Sequence, residues 1–107
     1  MARWADDLAP EEAATLDALL AALSRRRPAG WSVVRGLNGL VVRPARREVG
    51  RFGITLGRGS VHAAFHDRRR GVWTARHEWP ASGATADAVI AWAERVVADP
   101  DSAPGQQ

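Results

Sequence analysis

The middle of the chain, residues 31–79, alternates apolar and polar side chains with a period of two. This period is typical of β-strands that bury one face, because successive side chains point to opposite sides. Turn-forming residues interrupt the alternation at Asn38-Gly39, at residues 57–60 and at residues 67–71. The pattern predicts five short strands joined by tight connections, which is an antiparallel meander.

The turns set which residues face one another across each hairpin. A two-residue turn at Asn38-Gly39 pairs Val33 with Pro44. A turn symmetric about Arg69 gives these pairs in the last hairpin: Phe65 with Trp73, Ala63 with Ala75, and Val61 with His77. One side of the sheet, the core face, then receives the large aromatic side chains: Trp31, Phe52, Phe65, Trp73 and Trp79.

Helical patterns flank the strands on both sides. Residues 10–26 start with Pro10, which suits the first turn of a helix, and continue with leucines at helical spacing. Residues 86–98 follow Thr85, a favourable N-cap, and have a broad apolar face. The sequence therefore predicts one helix before the sheet and one after it.

Simple geometry limits how these elements combine. Five strands about 4.8 Å apart make a sheet about 20 Å wide, and two helices about 10 Å apart cover one face of it. The expected fold is α+β, a two-layer α-β5-α sandwich with both helices on the core face. It forms a single domain over residues 1–99, and residues 100–107 have little to bury and are predicted to be a disordered tail.

The opposite side of the sheet, here called the open face, is then a candidate binding surface. It is small, basic and weakly apolar, and its predicted binding residues are Val34, Val41, Arg43, Arg51, Thr55, His62, Ala64 and Arg76. Antiparallel sheets commonly leave one face to solvent, so ordinary solvation is the competing interpretation.

Charge is strongly segregated along the chain. All 15 basic residues are arginine, and residues 25–76 contain thirteen of them beside Glu48 and Asp67. The two flanking segments are acidic. This segregation indicates either an anionic partner or attraction between the helices and the sheet.

Several classes of function lose support from the composition. There is no cysteine, so neither disulfides nor thiolate metal sites form. No stretch approaches the roughly 20 apolar residues that span a bilayer, and the start lacks an apolar signal core. A cytoplasmic protein without a membrane partner is expected.

Candidate catalytic and metal-binding residues do not fit the predicted strands. His62 and His66 are about 13 Å apart along one strand, and His77 is on the other face, so a shared metal ion is not expected. Ser60 is about 6 to 7 Å from His62, too far for an activated nucleophile. The glycines of residues 57–59 precede a strand, whereas phosphate loops precede a helix. We expect no enzyme activity, cofactor or metal.

The sequence thus favours a small non-enzymatic protein-binding or adaptor module. Its partner binds the open face or a strand edge, at residues 31–36 or 72–79, and that partner is another protein or a second copy. Val41→Glu is predicted to break a dimer formed through the open face.

The alternative is a nucleic-acid-binding protein that uses the arginines of the sheet and its hairpin loops. Inward-facing aromatics speak against the alternative, because they leave no stacking platform. Trp4 caps the core or contacts a partner.

Overall fold

Five antiparallel strands form one sheet, in sequence order, in the computed structural model of the protein. The structure describes residues 9–36, 39–57 and 59–99. The strands are β1 (Ser32–Arg35), β2 (Leu40–Arg43), β3 (Gly50–Gly57), β4 (Ser60–Asp67) and β5 (Val72–Pro80). The predicted meander is confirmed, and β1 and β5 are its edges.

The two predicted helices are also confirmed. They are α1 (Pro10–Arg26) and α2 (Ala86–Ala98). At the start of α1 the Glu12 carboxylate accepts the backbone N–H of Ala9 at 3.0 Å, which satisfies a donor that the helix leaves free. The hydroxyl of Thr85 caps α2 by accepting the backbone N–H of Ala88 at 3.2 Å. Two short 3₁₀ helices occupy Arg47–Val49 and Ala81–Gly83.

Both helices pack on the core face and close a single hydrophobic core. Leucines of α1 and the apolar side of α2 meet the inward side chains of the strands. The Phe52 ring is central, 4.8 Å from Phe65 and 5.4 Å from Trp92, measured between ring centroids. This arrangement is the two-layer α+β sandwich that the sequence predicts. Neither helix is long and apolar enough to span a membrane within the described ranges.

The predicted register of the first hairpin is wrong by two residues. Val33 pairs with Val42 and not with Pro44. The reason is the position of the turn: Gly36 donates its N–H to the Gly39 carbonyl at 2.7 Å, so Gly39 flanks the turn. Asn38 lies outside the described residues. Because the error is an even number of residues, the predicted faces of both strands are still correct.

The register of the last hairpin is also wrong, by two residues on one side of a bulge and by one residue on the other. The expected partner of Phe65 was Trp73, but Phe65 pairs with Ala75, and a β-bulge follows between Phe65 and His66. Beyond the bulge, His66 pairs with Trp73. The bulge adds one residue to β5, which turns Trp73 to the open face. Thr74, which strict alternation places on that face, is buried. Phe65 is buried as expected.

The turn itself explains the start of this shift. Gly71, in the left-handed region at φ 72°, donates its N–H to the Asp67 carbonyl at 2.8 Å. Asp67 consequently pairs with Val72, and the loop between them is four residues long rather than symmetric about Arg69. Trp4, Arg58 and the predicted tail, residues 100–107, lie outside the described residues.

Candidate binding face

Outward side chains of the open face form three rows that cross the strands. The first, the cationic row, contains Ser32, Arg43, Arg51, His66 and Trp73. The second, the apolar row, contains Val34, Val41, Gly53, Ala64 and Arg76. The third, the polar row, contains Thr55, His62 and Glu78. Neighbouring rows are two residues apart on β1 to β4, or about 7 Å, and the bulge places Trp73 and Arg76 three residues apart on β5. All eight residues singled out from the sequence lie on this face.

Small residues make the centre of the apolar row shallow. Gly53 and Ala64 pair with each other there, between larger neighbours on both sides. They form the floor of a depression of about 510 Å³, which is also lined by Trp73 and Arg76. The Trp73 ring extends over the floor, since a Cβ at Gly53 would lie 3.3 Å from its Cη2 atom. The open face therefore has a trough that is bordered by an aromatic ring.

Trp73 is 43% exposed although it is the largest side chain on this face. Its position is set by two neighbours of the cationic row. The Arg51 guanidinium carbon lies 5.6 Å from the ring centroid, and the His66 ring meets it edge-on at 5.1 Å. Arg51 also donates to Nδ1 of His66 at 3.4 Å. These contacts place the indole against the sheet while nearly half of its surface stays exposed.

A second depression, the arginine basin, lies beside the middle of the cationic row. Its volume is about 470 Å³, and its lining residues are Arg43, Arg47, Gly50, Arg51, His66 and Arg68. The first 3₁₀ helix supplies Arg47, and the β4–β5 turn supplies Arg68. The Arg68 backbone N–H donates to the Val49 carbonyl at 3.0 Å, which ties the two connections together. Backbone contacts thus fix both walls of the basin.

The other two arginines of this turn have a structural role. Asp67 is buried, and its Oδ1 accepts the backbone N–H groups of Arg69 at 3.0 Å and Arg70 at 3.4 Å. The Arg69 guanidinium lies 3.5 Å from the second carboxylate oxygen. Burial alone would raise the pKa of Asp67, but the hydrogen bonds from Arg69 and Arg70 outweigh it and lower the pKa below its ordinary value. Asp67 is therefore a charged cap on the turn.

The histidines of the sheet are distributed among different surroundings. His62 lies 3.7 Å from Glu78 in the polar row, and His66 contacts Arg51 and Trp73. His77 is on the core side, where its ring centroid is 4.5 Å from that of Trp79. Among the described residues, no three histidine or acidic side chains come together as metal ligands would.

Sequence reasoning missed the aromatic member of the open face. Trp73 has the same parity as Ala75 and Trp79, both of which face the core side, so strict alternation directs it inward. A bulge reverses that parity, and no residue in the stretch signals one. The arginine basin was missed for a different reason, because Arg47 and Arg68 lie in connections that alternation does not orient.

Comparison with known proteins finds no family model, no curated protein and no solved structure that matches this chain.

Proposed function

We propose that this protein is a non-enzymatic protein-binding module whose partner docks on the open face. The observation that carries the proposal is Trp73, a large aromatic side chain held half-exposed beside the apolar row. Val34, at the far end of the same row, is 44% exposed. Large apolar groups on the two edge strands of the open face, Trp73 on β5 and Val34 on β1, give a partner two anchoring points on a single surface.

The composition of the face supports a polypeptide partner. Tryptophan and arginine are the residues most enriched among energetic hot spots of protein interfaces, and here they are in contact. The shallow floor at Gly53 and Ala64 leaves room for side chains of a partner. Because the neighbouring contacts already order Trp73, binding costs less side-chain entropy than it would with a freely rotating indole.

The face is a better docking surface than either strand edge. β1 has only four residues, which is a short template for an added strand. β5 is longer, but a bulge interrupts its pairing with β4, and Arg76 and Glu78 place charged side chains in its second half. Short edges, bulges and charges are the features with which proteins prevent strand addition.

A capture experiment tests the proposal. Tagged protein is incubated with extract of its native host, bound proteins are crosslinked, and the crosslinks are mapped by mass spectrometry. We expect crosslinks beside the trough, and loss of the bound protein with Trp73→Ser and with Ala64→Gln, which fills the floor. Val72→Ser is the matched control, because Val72 is the next residue and is 50% exposed but lies outside the three rows. Retention of the partner by Trp73→Ser and Ala64→Gln would contradict the proposal.

Nucleic-acid binding is the second candidate. One structural observation supports it more strongly than the sequence did. Trp73 faces outward, so the open face does have an aromatic ring next to arginines. A single base stacked on one ring contributes about 1 to 3 kcal/mol. Arg51 already lies over that ring, however, and a base would have to displace it. Titration of labelled single- and double-stranded oligonucleotides at low and physiological salt tests this candidate, and absence of binding at low salt would exclude it.

A further inference from the structure

We propose that the partner contributes an extended acidic segment whose carboxylates bind in the arginine basin while its apolar side chains cover the apolar row. The inference rests on the proposed function and names the chemistry of the partner. Its basis is the concentration of arginines at one end of the open face, in the arginine basin.

The basin holds four guanidinium groups that have no counter-charge within residues 9–36, 39–57 and 59–99. No carboxylate of the described residues forms an ion pair with Arg43, Arg47, Arg51 or Arg68. Other arginines of the chain do have acidic partners: Arg26 with Asp87, Arg35 with Asp17, Arg46 with Glu48, and both Arg69 and Arg70 with Asp67. Acidic groups are thus available in the fold, but none of those in the described part of the chain lines the basin.

Local backbone structure brings these like charges together. Gly50, on the floor, has φ 144°, and a Cβ there would lie 2.0 Å from the His66 carbonyl oxygen. Its lack of a side chain lets β3 and β4 approach closely between Arg47 and Arg68. Clustered like charges repel one another, so a bound anion relieves a cost that the free protein carries.

The charge of the open face and the spacing of its rows together indicate which kind of molecule binds there. A second copy would bring its own cationic row against this one, and like charges face to face are unfavourable. A nucleic acid matches the arginines but has no apolar side chains for Val34 and Val41. An extended polypeptide lying along the strands matches both, because residues i and i+2 of a strand are about 7 Å apart, as are the cationic and apolar rows.

The test uses defined probes and paired variants. The first probe is a fluorescein-labelled peptide of twelve residues that alternates glutamate and leucine at every second position, with serine between them. The second has glutamine in place of glutamate, and the third is single-stranded oligothymidylate. Binding is measured by fluorescence anisotropy against the wild type, Arg47→Gln/Arg68→Gln, and the control Arg25→Gln/Arg95→Gln, which removes the same charge from the helices.

We expect the acidic peptide to bind the wild type more tightly than the glutamine peptide does. Exposed ion pairs are individually weak, so loss of two at the basin should weaken binding by about tenfold, which corresponds to about 1.4 kcal/mol. The control Arg25→Gln/Arg95→Gln should weaken binding of the acidic peptide less than twofold, which is about the effect of the change in net charge alone. Thermal melts of both double variants confirm that the fold is intact.

Four results would overturn the inference. Equal weakening by both double variants would show attraction to net charge only. Equal affinity for the glutamate and glutamine peptides would show that the basin does not bind carboxylates. Oligothymidylate that binds more tightly than the peptide, and is released by Arg47→Gln/Arg68→Gln, would assign the basin to nucleic acid. A captured partner that Trp73→Ser releases but Arg47→Gln/Arg68→Gln retains would reject the acidic segment and leave the proposed function standing.

Discussion

Close approach of two strands makes Gly50 the most constrained residue next to the arginine basin. Any Cβ at this position meets the His66 carbonyl, and φ 144° is strained for every other residue. We expect Gly50→Ala to lower the free energy of unfolding by about 2 to 4 kcal/mol, measured by urea denaturation. Gly57→Ala is the matched control, since nothing lies within 4 Å of its added Cβ. Equal stability of the two variants would contradict this account.

Asp67 makes stability depend on pH in a defined direction. Its pKa is lower in the folded protein than its ordinary value of about 3.9, so the unfolded chain binds the proton more readily. The carboxylate therefore contributes stability that is fully present above the unfolded pKa and is lost as pH falls through the folded pKa. Unfolding free energies measured from pH 7 down to pH 2 should fall less steeply for Asp67→Asn than for the wild type. Parallel curves would rule out this role of the turn.

At the scale of elements, the bulge in β5 separates two aromatic residues that alternation places together. Phe65 is buried between the sheet and the helices, whereas Trp73 lies on the open face. Truncating a buried phenylalanine costs about 3 to 5 kcal/mol, so Phe65→Ala should destabilise the protein by that amount. Trp73→Ala should cost about 1 kcal/mol or less, as exposed positions do. Comparable losses from both changes, measured by urea denaturation, would show that Trp73 is a core residue.

The accuracy of the sequence-based prediction differs between local and non-local features. The helices and strands were predictable because each has its own periodicity and end signals, such as Pro10 and Thr85. Register was not, because it depends on which backbone hydrogen bonds close each turn, such as the one from Gly36 to Gly39, and the apolar alternation does not specify those bonds. The face of Trp73 depends on a single unpaired residue in β5, which leaves no mark in the alternation.

At the scale of the whole molecule, the basic segment contains two distinct groups of arginines, those in ion pairs and those in the arginine basin. Some arginines pair within the fold: Arg26 of α1 binds both carboxylate oxygens of Asp87 in α2, and Arg35 of β1 pairs with Asp17 of α1, which joins the sheet to the helices. These pairs are exposed and contribute up to about 1 kcal/mol each. Others, in the basin, have no acidic partner among the described residues. Attraction between helices and sheet and an unsatisfied basic surface therefore coexist in one chain.

This charge distribution leads to an expectation about self-association. Two copies joined symmetrically through the open face would cover Val34 and Val41, but Arg43 and Arg51 of both copies would enter the same interface. We therefore expect light scattering at physiological salt to give the mass of one chain, 11.6 kDa, across a concentration series. Val41→Glu, which places a carboxylate in the apolar row, should leave that mass unchanged. Salt is a second variable, since it screens the repulsion between the arginines while strengthening apolar contacts. A dimer at physiological salt that Val41→Glu dissociates without unfolding would identify the open face as a homodimer interface and make the second copy the partner.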